Sequence, residues 1–190
     1  MRSLSILALL LVLVSCQADR EPKEAERAKR MPMNGDMMGR TMPDWMMSSG
    51  MDSQMMQDMP VIHSLLSHHA EIRRKVEDLP NGVRTVTTSQ DPEVAKLIRA
   101  HVWQMKARME EGRPIRQMDP VFRELFRHHK NVRLAPKEVP GGIQVTETSD
   151  DPQVVLLIRQ HAHQAVSEFV RYGMQRAMQP TELPVGYSAR

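Results

Sequence analysis

The sequence predicts an α+β fold built from two tandem αββα repeats, and three observations lead there. Residues 60–104 align without a gap on residues 120–164, an offset of 60, and 18 of the 45 paired positions are identical. Each copy carries a tight-turn signal, Leu79-Pro80-Asn81-Gly82 in the first and Val139-Pro140-Gly141-Gly142 in the second. Each then carries Asp-Pro at the head of an apolar stripe of helical period, Asp91-Pro92 and Asp151-Pro152. A lone two-stranded hairpin is marginal in water, so the two hairpins are expected to share one small antiparallel sheet with pseudo-twofold symmetry. Two independent small domains are the alternative.

The elements follow in order. Val61 to His69 opens the first copy, with Val61, Leu65, His68 and Ile72 at helical spacing. Asn-Gly and Gly-Gly tolerate the positive φ of tight hairpin turns. The strands leaving the turns, Val83–Thr88 and Ile143–Thr148, are rich in β-branched residues. Pro136 cannot donate to a ladder, so the strand entering the second turn is expected at an edge or to be irregular. Asp91 and Asp151 serve as N-caps, with proline at the first helical position, where its missing N–H costs nothing. The helical stripes are Val94, Leu97, Ile98, His101 and Met105, mirrored by Val154, Leu157, Ile158, His161 and Ala165. The second helix is expected to be the longer, running past Phe169 and Tyr172 to about Met178.

Ahead of the repeats the chain changes character. Residues 1–15 read as a cleaved signal: Arg2, an apolar run from Ile6 to Val14 too short to span a bilayer, then Ser15. Leu13-Val14-Ser15-Cys16 resembles the lipobox of bacterial lipoproteins. The resemblance implies that Cys16 is acylated and becomes the mature N-terminus, tethering the exported chain to a membrane. Gln17, not being Asp, then implies the outer membrane, facing the periplasm. Cys16 is the only cysteine, so no disulfide can form within the chain. Residues 16–30 form a polar tether with no apolar stripe, and residues 31–59 a methionine-rich segment punctuated by Gly, Pro, Asn, Asp and Ser, expected to lack stable structure of its own. Residues 60–112 and 113–178 are the two repeats, and residues 179–190 read as a tail.

Of 17 methionines, 11 fall in residues 31–59: Met31, Met33, Met37, Met38, Met42, Met46, Met47, Met51, Met55, Met56 and Met59. Thioether sulfur is a soft, neutral ligand that needs no deprotonation and suits Cu(I) or Ag(I). The segment resembles the methionine-rich stretches of bacterial periplasmic copper-resistance and copper-transfer proteins, although no histidine interleaves the methionines. That resemblance implies soft-metal binding. The competing reading is an adaptable apolar tether that also absorbs oxidants.

The eight histidines all lie in the repeat region, and three pairs match across it: His68 with His128, His69 with His129, His101 with His161. Imidazole suits copper, zinc, iron and nickel. The six are therefore candidate ligands, with His101 and His161 able to share one site on a pseudo-twofold axis. The opposing reading makes them half-buried structural residues bonded to backbone carbonyls, or favourable charges at helix ends. Covalent haem attachment is excluded by the lack of Cys-x-x-Cys-His, which leaves bis-histidine haem as a third-ranked expectation.

The formal net charge is +3, falling to +2 once Arg2 is removed, and no basic run interleaves with aromatics, so nucleic acid is not expected as a partner. No phosphate loop, serine elbow or His-Glu-x-x-His motif is present, and no enzymatic activity is expected. An envelope protein remains the alternative partner, with the repeats as an interaction or structural module.

Overall fold

A computed structural model describes residues 53–189. The signal, Cys16, the tether and Met31 to Met51 lie outside the described residues.

Helix α1 (Ser53–Ser67) starts earlier than the sequence suggests and runs through Pro60. It carries Met55, Met56 and Met59, so the end of the methionine segment is helical rather than irregular. Proline at 60 removes one backbone donor inside the helix, a local cost. Two residues earlier, Asp58 makes a fully buried 2.5 Å ion pair with Arg108 Nε, which ties this part of the helix to the domain. In the second copy the matching proline, Pro120, instead opens helix α3 (Pro120–Arg127). There Asp119 Oδ1 accepts from Val121 N (3.1 Å) and Phe122 N (3.5 Å). Met59 occupies the corresponding place in the first copy and cannot cap, so nothing stops α1 from continuing upstream.

Short 3₁₀ turns at His69–Glu71 and His129–Asn131 lead into the strands. These are β1 (Ile72–Leu79), β2 (Gly82–Ser89), β3 (Arg133–Val139) and β4 (Gly142–Thr148). They form one four-stranded antiparallel sheet in the order β1-β2-β4-β3. The domain is therefore α+β with a single shared sheet. Pro136 sits on edge strand β3, where its missing donor is harmless. In the central pair Gly82 faces Thr148, Thr85 faces Val145 and Thr88 faces Gly142.

Strand alternation divides the sheet sharply. Ile72, Val83, Thr85, Ile143, Val145 and Glu147 are buried on one face. Helices α2 (Pro92–Glu111) and α4 (Pro152–Gln160) pack there through Val94 and Ile98, and through Val154, Leu157 and Ile158. Each such aliphatic side chain contributes roughly 1.5–3 kcal/mol when fully buried. Asp91 and Asp151 cap these helices as expected, Asp91 Oδ1 accepting from Glu93 N (2.7 Å) and Asp151 Oδ1 from Gln153 N (2.8 Å).

The two long helices end differently. α2 stops at Gly112 in the left-handed conformation, φ 64°. α4 passes into a π-helical turn (His161–Val166) and then α5 (Ser167–Ala177), in which Gly173 breaks the helix at φ 61°, ψ −143°. Together these span residues 152–177, longer than α2 as the sequence suggested. Residues 179–189 fold back onto the domain. Thr181 N donates to Asp119 Oδ2 (2.9 Å), Gln160 Nε2 to the Glu182 carbonyl (2.7 Å) and Tyr187 Oη to Glu124 Oε2 (2.9 Å). Among the described residues no helix is long and apolar enough to cross a membrane.

Candidate functional site

The six matched histidines do not converge. His68 is exposed and donates from Nδ1 to the Ser64 carbonyl, 2.8 Å away on its own helix. His69 donates from Nδ1 to the Val170 carbonyl of α5 (3.0 Å), and its ring lies where a Cβ on Gly173 would come within 2.4 Å. His129 does the same to the Met109 carbonyl of α2 (3.0 Å), its ring against Gly112, where a Cβ would come within 2.7 Å. His128 Nε2 donates to the Tyr187 hydroxyl oxygen (3.3 Å), whose own proton goes to Glu124. Of the unmatched pair, His163 Nε2 meets Asp78 Oδ1 at 2.8 Å and His63 lies on exposed helix surface. His69 and His129 thus act as clamps: each imidazole joins the foot of a β-hairpin to the closing turn of a long helix.

His101 and His161 are different. Both lie on the helix stripe facing the sheet, both are half-buried, and the Nδ1 atom of each is buried without a hydrogen-bond partner among the described residues. Their neighbours are charged. Arg74 of β1 donates to Thr87 Oγ1 (2.8 Å) and to Ser167 Oγ (3.3 Å). Glu147 Oε2 lies 3.9 Å from His161 Nδ1. Phe122 of α3 covers the His161 ring edge-on, centroids 5.0 Å apart. Strand alternation explains the gathering: Arg74 is in phase with Ile72, and Glu147 with Ile143 and Val145, so both point under the helices.

Burial sets the protonation of this group. Desolvation pulls His101 down to about 4, Asp58 opposing and Arg74 adding to the fall. His161 drops to about 3 through desolvation, then the charge of Arg74 and the proximity of His101. Desolvation raises Glu147 to about 7 against the pull of Arg74, and lowers Arg74 to about 10 against the pull of Glu147. Near neutrality both imidazoles are uncharged, the form in which histidine is a ligand or an acceptor.

Two nitrogens are fewer than a structural zinc site needs, and among the described residues no three His, Cys, Asp or Glu side chains converge to hold a metal ion. Of the methionine candidates, Met55 packs against the core, while Met56 (52% exposed) and Met59 (44%) are exposed on α1. A shallow cavity of about 510 Å³ lies between the turn at Pro80-Asn81 and the start of α4, and none of the histidines lines it. Arg74 and Glu147 are the members of the buried group that sequence reasoning missed; the signal was a charge in phase with apolar strand positions. Comparison with protein-family models, with curated proteins and with solved structures finds no match to the chain.

Proposed function

We propose that the chain is an exported, lipid-anchored envelope protein that binds a soft monovalent metal ion, copper(I) or silver(I), for tolerance or transfer. Acylated Cys16 holds it to a membrane, the outer membrane on the identity of Gln17. The methionine segment is the capture element and the repeat domain its folded platform; the role is binding, not catalysis. The observation that carries the reading is the concentration of 11 of 17 methionines in residues 31–59. Met56 and Met59, being solvent-facing, agree with ligand duty rather than core packing. His101 and His161 are the matched histidines whose Nδ1 is buried without a hydrogen-bond partner among the described residues, which makes them the domain's first candidates for a ligand contribution.

The platform itself reads as a duplicated αββα unit with an approximate twofold axis between β2 and β4. Thr85 faces Val145, its own partner at the 60-residue offset, and the flanking pairs fall symmetrically about them. Ser89 N donates to the Gly141 carbonyl (2.9 Å) and Ser149 N to the Asn81 carbonyl (3.0 Å), the same bond exchanged between copies. The histidine clamps are exchanged likewise, but Met109 and Val170, and Gly112 and Gly173, are 61 residues apart. A single residue inserted after Gln164 accounts for the difference, and the π turn at His161–Val166 is how the helix accommodates it.

A second reading, an interaction or structural lipoprotein, is favoured by His69 and His129, each of which ties the foot of a hairpin to a distant helix. Metal loading separates the two. A mature chain carrying Cys16→Ser, loaded with Cu(I) and desalted, should retain copper; replacing the methionines of 31–59 with leucine should abolish retention. Equal copper in both chains, or none in either, removes the methionine segment from the account. Palmitate labelling lost in Cys16→Ser tests the anchor separately.

A further inference from the structure

The helices cover one face of the sheet; on the other, among the described residues, nothing packs. That open face carries Arg73, Lys75, Arg84, Arg133 and Lys137, with Glu77 as its one acidic side chain. Five cations against one anion give +4, more than the +3 of the whole chain, so the remainder nets −1. Arg84 pairs with Glu77 (3.2 Å), and Arg133 with Asp150 at the rim (2.7 Å). Arg73, Lys75 and Lys137 have no carboxylate partner among the described residues. Lys75 and Lys137 are exposed at opposite ends of one cross-strand row, Lys75–Val86–Gln144–Lys137, spanning three inter-strand gaps or ~14 Å.

We infer that this face docks on a membrane surface bearing anionic phospholipid headgroups. Charge complementarity calls for an anionic occupant, and the character of the surface chooses among the candidates. A protein interface draws its energy from aromatic and other large side chains seated in pockets. The open face has no aromatic residue, and beside Arg84 its inner positions are Val86, Gln144, threonines and glycines. Single-stranded nucleic acid would need aromatic platforms for stacking, absent for the same reason. A basic surface whose two free lysines are long enough to reach past the strands suits a layer of phosphate headgroups, where each basic residue contributes by electrostatics alone. The 36 residues between Cys16 and Ser53 cannot separate the domain from the anchored lipid by more than ~130 Å.

The docking goes beyond metal binding and is tested without metal or lipid anchor, so its failure and that of the proposed function are distinguishable. The mature Cys16→Ser chain is cosedimented with phosphatidylcholine vesicles with and without phosphatidylglycerol. Binding is expected only to the anionic vesicles, and should vanish as salt rises from ~0.05 to ~0.5 M. Lys75→Gln with Lys137→Gln should weaken the partition roughly 25-fold, about fivefold per charge. The control pair Lys96→Gln with Lys130→Gln, off this face, should shift it by no more than about twofold, given the screening of distant charges. Equal loss in the control, equal binding to neutral vesicles, or binding to polyglutamate but not to vesicles overturns the inference. Thermal melts of both variants matching the parent exclude misfolding as the cause of any loss.

Discussion

The histidine clamps make a sharp energetic prediction. Gly112 has φ 64° and Gly173 φ 61°, and a Cβ at either would lie inside the facing imidazole, 2.7 Å from His129 and 2.4 Å from His69. Gly112→Ala places an L-residue in the left-handed region, costing about 1–2 kcal/mol. It also displaces the His129 ring and its bond to the Met109 carbonyl, at about 1 kcal/mol more. The total is about 2–3 kcal/mol. Gly173→Ala should cost at least as much, because ψ −143° with positive φ is a region that glycine alone occupies readily. Urea unfolding with linear extrapolation measures both. The clash itself is isolated by a double-mutant cycle: once His129→Ala has removed the ring, Gly112→Ala should cost only the strain, giving a coupling of about 1 kcal/mol. Alanine variants within about 0.5 kcal/mol of the parent, or strict additivity in the cycle, would refute the clamp.

Asp58→Asn removes the carboxylate from a fully buried ion pair with Arg108 and should destabilise by about 3 kcal/mol; an unchanged urea midpoint would contradict the pairing. His101 and His161 fall below 6.5 in the folded chain, so their stabilisation is present above pH 6.5 and is lost as pH falls toward 4 and 3. Glu147 rises to about 7, so its contribution is present below 4.5 and is lost as pH climbs from 4.5 to 7. Between pH ~5 and ~6 the unfolded chain binds about two more protons at the histidines and one fewer at the glutamate, so these groups raise stability by about 1.4 kcal/mol per pH unit. His101→Phe with His161→Phe should remove the histidine share, and a double variant keeping the parent slope would contradict the assignment. Tyr187→Phe deletes a hydroxyl that donates to buried Glu124 and should cost about 1–2 kcal/mol in a thermal melt, against none if residues 179–189 do not hold the domain.

Apart from the shared sheet, which the duplicated hairpin implied, what could be read from the sequence is local. Asp91-Pro92 and Asp151-Pro152 announce their helices because capping involves only the next three residues. Pro136 announced an edge or irregular strand because a missing N–H is tolerated in few places in a sheet, and the strand lies at the edge. What could not be read is tertiary. Pro60 looks like a helix boundary, and in the second copy its partner is one. It lies inside α1 because Met59 lacks the capping oxygen of Asp119, and Asp58 finds Arg108 fifty residues away. His69 and His129 look like the ends of their helices. Their partners, Val170 and Met109, belong to the other copy's closing helix, a pairing no local pattern encodes. Within the candidate site, His101 and His161 were visible from their stripe, whereas Arg74 and Glu147 were hidden in strands that read as polar. The loop-like composition of residues 179–189 gave no sign that Tyr187 reaches Glu124.

Thioether ligation of a soft metal is tested by X-ray absorption at the copper edge. In the mature Cys16→Ser chain loaded with Cu(I), methionine is the only source of sulfur, because the single cysteine is gone. Sulfur should then dominate the coordination shell. A shell of nitrogen and oxygen alone would move the ion to the histidines and refute ligation by the methionine segment.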